Sequence, residues 1–294
     1  MLADLLPLFR ELGHLKRIHS ADAPGSIAER LFRRGWAALA AGEPADAVAR
    51  RTVATALTVA RLGDLDRARL LALGLPADEA RAVLERGFDA VTEGLDLDFV
   101  ELRSAVALGA PDHGPTPSFV DTLARQPRAG VTCPGKPRIV LLPTENHAEH
   151  CLMVAVYGVL LAPLQGADAT AVFVAGMAHH LHNAAMPDAG FTGEILLGDA
   201  LNGVIARARD AALADLDAPI AATVRTALAP IGGDATPEAR AFHIGDVLDR
   251  VLEIEQHFAR ARITMDDVLG DYGLVHDGPV KPFHDRVLAE AGLA

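Results

Sequence analysis

The chain has 294 residues, 50% of them hydrophobic and 22% charged, with a formal net charge of -12 at neutral pH. That apolar mass is enough for a sizeable core and excludes intrinsic disorder as the main state. The acidic balance argues against a nucleic-acid or anionic-membrane binder, which needs a basic surface to replace phosphate counterions.

Apolar residues recur at three- and four-residue spacing almost throughout, which predicts an all-α fold. Helices are expected over 2–18, 26–41, 45–62, 64–73, 77–93, 97–108 and 118–125, then over 145–162, 168–185, 193–213, 217–228, 237–261 and 282–291. Ser26 followed by Glu29 reads as a capping box. Asp64, Pro76 and Thr236-Pro237-Glu238 mark further helix starts. Proline and glycine concentrate over 109–138. This seam divides a smaller helical N-terminal domain, 1–130, from a metal-binding helical domain, 131–294. Residues 139–143 read as a short strand or an extended lead-in to the next helix.

Residues 151–178 carry one charge, Asp168, and resemble a membrane span in composition. Pro163, Gln165, Gly166 and Asp168 interrupt the run, so it reads as two buried helices joined by a turn. Cys133 and Cys151 make no disulfide framework, and the opening MLADLLPLFRELGHLKR lacks the features of a signal peptide. The expected location is therefore a reducing cytoplasm. Cys151, in an apolar run, reads as an inert core thiol.

Five of the twelve histidines fall between 147 and 182: His147, His150, His179, His180 and His182. His147 and His150 are three apart, which places both imidazoles on one helix face. His179 and His182 repeat the spacing, and His243 with Asp246 repeats it again. Three helices that each offer two such side chains are the arrangement from which helical bundles build metal centres. Imidazole with carboxylate suits zinc, iron, manganese, nickel or cobalt. The lack of ligand-spaced cysteines argues against a structural thiolate site. There is no Walker-type loop, no GxGxxG after a strand and no GxSxG elbow.

On EHCLMVA, VAGMAHH and GDVLDRV, residues 145–260 resemble the HD superfamily of metal-dependent phosphohydrolases. The resemblance implies metal ligation by His150, by a His-Asp-like dipeptide and by Asp246. The dipeptide has two registers, His179-His180 or His182-Asn183. The second runs in step with a triphosphohydrolase pattern through Pro187, Gly190, Gly193 and Glu194, with Phe191 in place of a histidine. In both registers the dipeptide's aspartate is replaced, by His180 or Asn183, which implies a one-metal centre. Glu194 is then the candidate general base, and Asn183, Asp188 and Arg250 the candidate substrate-binding residues, with Arg138, Arg207, Arg209 and Lys281 as further cations. His276-Asp277 and His284-Asp285 in the tail read as decoys, although His276 has the reach to fold back. The implied function is hydrolysis of a phosphoester or nucleotide-like small molecule with a divalent ion. The alternatives are an HD-type iron oxygenase that activates dioxygen and a non-catalytic binding or regulatory protein. The expected partners are a small-molecule substrate and a second copy in a homodimer, with no nucleic acid and no membrane.

Overall fold

The computed structural model describes residues 2–19, 24–111, 114–258 and 264–293, and among them it contains helices and no strand. The fold is all-α. Residues 139–143 carry one isolated antiparallel bridge, Ile139 to Val131, so the extended lead-in is what forms.

The first half of the chain folds into α1 (Leu2–Gly13), α2 (Ile27–Ala40), α3 (Ala45–Leu62), α4 (Arg67–Ala72), α5 (Ala77–Thr92), α6 (Val100–Ala105) and α7 (Ser118–Arg125). A single 3-10 turn, His14–Lys16, follows α1 and carries Lys16 inward. Ser26 caps α2 by accepting the Glu29 N–H at 3.1 Å. Asp66 caps α4 through the Arg69 N–H at 2.9 Å. Asp64, the expected start, instead pairs with Arg30 and Arg69.

The second half forms α8 (His147–Gln165), α9 (Ala169–Ala178), α10 (Gly190–Leu197), α11 (Leu201–Leu213), α12 (Ala218–Leu228), α13 (Pro237–Phe258) and α14 (Lys281–Glu290). Asn146 and Glu149 form a full capping box on α8: the Asn146 side chain accepts the Glu149 N–H, and the Glu149 carboxylate accepts the Asn146 N–H. By length and hydropathy α8 would pass for a membrane span, yet it is buried on all sides within the protein from His147 to Ala162. The 151–178 run is thus two core helices, turned at the left-handed Gly166.

α9 ends at Ala178 rather than near residue 185, and His179 and His180 sit in the turn beyond it. The helix expected over 193–213 is broken at Gly198, whose φ of +50° ends α10 before α11 begins. The expected end of α13 at 261 lies outside the described residues. A turn of π-helix over Asp267–Asp271 had no counterpart in the sequence reading.

Small residues bring three helices together around α8. A Cβ on Gly176 of α9 would lie 2.6 Å from the Ala155 backbone, and one on Gly245 of α13 would lie 3.1 Å from the Val154 carbonyl oxygen. Both helices therefore approach α8 closely. That closeness lets a histidine at the end of α9 and an aspartate on α13 reach a histidine on α8. The apolar core is one continuous cluster that includes Leu12, Trp36 and Leu57 as well as Leu152, Phe173 and Val247.

Candidate metal centre

His150 lies in the first turns of α8, fully buried, between two unlike surroundings. Its Nε2 is 3.1 Å from Nε2 of His179 and 3.3 Å from Oδ1 of Asp246. Its Nδ1 is 2.7 Å from Oδ2 of Asp249. Of the two sequence registers, His179-His180 is therefore the one that reaches His150.

The donor inventory around this point is one-sided. The Gly176 carbonyl, 2.7 Å from His179 Nδ1, can only accept, so that nitrogen carries the proton and Nε2 presents a lone pair. Asp249 likewise accepts the Nδ1–H of His150 and leaves its Nε2 as a second acceptor. The Asp246 carboxylate is a third. Burial, together with the neighbouring His150, holds His179 down at about 3, so it is neutral at physiological pH. Burial pushes the Asp246 carboxyl up, but the adjacent His150 ring and the charge of Arg250 outweigh this and hold its pKa well below the usual range. His180 joins them: His150, His179 and His180 bring ligand atoms within 4.8 Å of one another. Its Nδ1 is 2.7 Å from Asn183 Oδ1, and burial with the nearby His179 depresses its pKa strongly. Nitrogen lone pairs and a carboxylate oxygen, turned inward together, are a donor set that fits a divalent transition metal.

On the Nδ1 edge of His150, Glu145, His150 and Asp249 form a second buried group that could hold a metal ion. Here a lysine is already present. Lys16 Nζ lies 2.8 Å from Glu145, 2.9 Å from Asp249 and 2.9 Å from Glu253. Burial lowers the Lys16 pKa, but the charges of these three carboxylates outweigh it and keep the ammonium firmly protonated. Burial raises Asp249 too, yet Lys16 and His150 bring it down to about 2.

A cavity of about 400 Å³ opens on the His179 side. Arg128, Arg250, His182, Asp188, Glu194 and His276 contribute its polar lining. The Arg128 guanidinium has no hydrogen-bonded partner among the described residues, and its nearest carboxylate oxygen, on Glu145, is 3.6 Å away. Arg250 donates to the Leu274 carbonyl at 2.7 Å and lies 3.8 Å from Asp246. Glu194 projects from α10, and burial with Asp188 nearby raises its pKa. The tail does fold back: His276 stacks face to face on Phe191 at 3.6 Å.

The remaining sequence candidates divide plainly. His147 is buried beside His180, with ring centroids 4.8 Å apart and Nε2 3.6 Å from Asp188, and neither ring nitrogen has a hydrogen-bond partner. Burial and Arg128 depress it to about 2. His182 lines the cavity at a 5.5 Å ring distance from His180, and burial with Arg209 nearby takes it to about 4.

His243 is not brought to the centre. Its Nε2 faces the carbonyls of Ile231 and Gly233 at 3.0 and 3.1 Å and holds the turn before α13. Asn183 is buried, with its amide on His180 and Met186, and is not among the residues that line the cavity. Asp188 does line it, although its oxygens accept the N–H groups of Ala129 and Gly190. Of the further cations, Arg138 donates to the Ala129 carbonyl and Lys281 pairs with Asp285 at the surface.

Sequence reasoning missed Lys16, Arg128, Glu145 and Asp249. Asp249 had a legible signal, because it follows Asp246 by three on one helix and so shares its face. No protein-family model, curated protein or solved structure matches this chain.

Proposed function

We propose that this protein is a metal-dependent hydrolase of the HD type, acting on a phosphoester small molecule in the cavity beside His179. The observation that carries this reading is the meeting of His150 on α8, His179 in the turn that ends α9 and Asp246 on α13, with His179 Nε2 and Asp246 Oδ1 at 3.1 and 3.3 Å from His150 Nε2 and, among the described residues, no protein donor between them. His150, His179, Asp246 and His180 would hold the ion.

A divalent cation supplies Lewis-acid polarisation of a phosphoryl oxygen and of the attacking water. The chain's own groups do the rest. Arg128 and Arg250 lie on the cavity wall with guanidinium groups available to an anion, which suits clamping of the phosphoryl oxygens. Glu194, which lines the same cavity and whose pKa burial raises, would be the base that accepts a proton from the attacking water. Apolar wall residues such as Val131, Ile205 and Phe242 exclude water and fit the non-phosphate part of a substrate.

The test is hydrolysis of a phosphoester panel by protein loaded with Mn, Co, Zn, Ni or Fe(II). Metal-stimulated turnover that is lost in Asp246→Ala together with the bound metal supports the reading. Bound metal with no turnover on any phosphoester, or unchanged metal content in Asp246→Ala, contradicts it.

A further inference from the structure

We infer that Lys16, carried in by the turn after α1, is a positioning residue of the metal centre: it supplies the fixed positive charge on the Asp249 edge of His150 and so holds His150 with Nε2 turned to His179 and Asp246. The inference rests on the metal-centre reading above.

Its geometry is that of a chain of contacts. The Lys16 side chain is 1% exposed; its ammonium donates to Glu145 at 2.8 Å and to Asp249 at 2.9 Å, and it lies 2.9 Å from the Glu253 carboxylate. Asp249 engages Lys16 through Oδ1 and His150 Nδ1 through Oδ2, so both oxygens are held and the carboxylate cannot turn away from the ring. A carboxylate that accepts the second N–H of a metal-ligating histidine fixes its tautomer and orientation.

The same contact decides between the two groups that could hold a metal. The Glu145–His150–Asp249 group already has a cation of the protein within hydrogen-bond distance of both carboxylates. Among the described residues the His150–His179–His180 group, with Asp246, has no cation that close, Arg250 standing 3.8 Å from Asp246. Lys16 stands 233 residues before Asp249, so the N-terminal segment contributes to a centre otherwise built from α8, α9 and α13.

The experiment is a Co(II) titration followed by visible absorption, on the full chain and on Lys16→Met and Lys16→Arg. If Lys16→Met does not fold, Lys16→Met/Glu253→Gln, which removes one buried charge of each sign, takes its place. Nitrogen-15 spectra of the histidines report the His150 tautomer alongside. The expected result is Co(II) binding roughly 10- to 100-fold weaker without the lysine, with a changed visible spectrum, a displaced His150 Nδ1 resonance and recovery in Lys16→Arg. A folded variant without Lys16 that keeps wild-type affinity and spectrum overturns the inference. Failure of the wild-type chain to bind Co(II) at all overturns instead the metal-centre reading beneath it.

Discussion

On one edge of the His150 ring, every charge has a partner. Lys16 meets Glu145, Asp249 and Glu253, Arg17 meets Glu253, and Asp249 accepts from the ring. On the other edge, the acceptors of His179 and Asp246 converge on the ring from α9's end and α13, and among the described residues the cation paired with Asp246, Arg250, stands off at 3.8 Å. Both edges are buried and polar, and both arise where helices pack closely. The difference teaches that a balanced polar cluster is architecture, whereas an unbalanced one of the same size is an invitation to a cation. Burial of unmatched polar groups is disfavoured unless a ligand compensates for it.

Breaking the balanced edge should have the largest effect. Lys16→Met leaves three buried carboxylates without their counter-ion and should destabilise the fold by about 3–5 kcal/mol, measured by denaturant unfolding. A loss below about 1 kcal/mol would mean that the carboxylates simply take up protons.

Acid probes the other edge with nearly the same force. His147, His179, His180 and His182 have folded pKa values depressed, chiefly by burial, to about 2, about 3, well below normal and about 4. The unfolded chain binds those protons near pH 6.5, so stability is complete above that pH and falls as pH drops through it. From pH 7 to 5.5 each histidine should remove about 1 kcal/mol, or about 4 kcal/mol together, for the metal-free protein. A bound metal should steepen the fall, because its ligands must be deprotonated. A flat profile over that range would contradict the neutral, buried state of these rings.

How much of this was legible depended on whether the contact was local. Helical class, the broken apolar run at 163–168 and the register of His147, His150, His179 and Asp246 follow from short-range periodicity and glycine placement. The choice between His179-His180 and His182-Asn183 did not, because it turns on where α9 stops, and Gly176 packing against Ala155 fixes how that end meets α8. Lys16 and Arg128 were invisible for a similar reason. One lysine in an amphipathic N-terminal helix and one arginine in a proline-rich seam look like solvated charges until tertiary packing buries them. His243 misled because i, i+3 spacing with Asp246 shows a shared face but not which neighbour the longer side chain chooses.

Two smaller perturbations sharpen the contrast. Gly176→Ala puts a methyl 2.6 Å from the Ala155 backbone. It should cost about 1–3 kcal/mol and shift α9 enough to weaken metal binding, checked by thermal unfolding and by cobalt titration of one sample. His243→Ala removes the hydrogen bond to the Ile231 and Gly233 carbonyls and the ring's contact with His284. It should cost about 1 kcal/mol and leave metal content unchanged; lost metal would return His243 to the ligand set.

The most direct measurement is elemental analysis of untagged protein, wild type beside His179→Ala and Asp246→Ala, after incubation with each of Mn, Fe(II), Co, Ni and Zn. About one metal per wild-type chain and none in either variant is the expected result. Wild-type protein that retains no ion, or variants that retain as much as wild type, would contradict a metal centre at His150, His179 and Asp246.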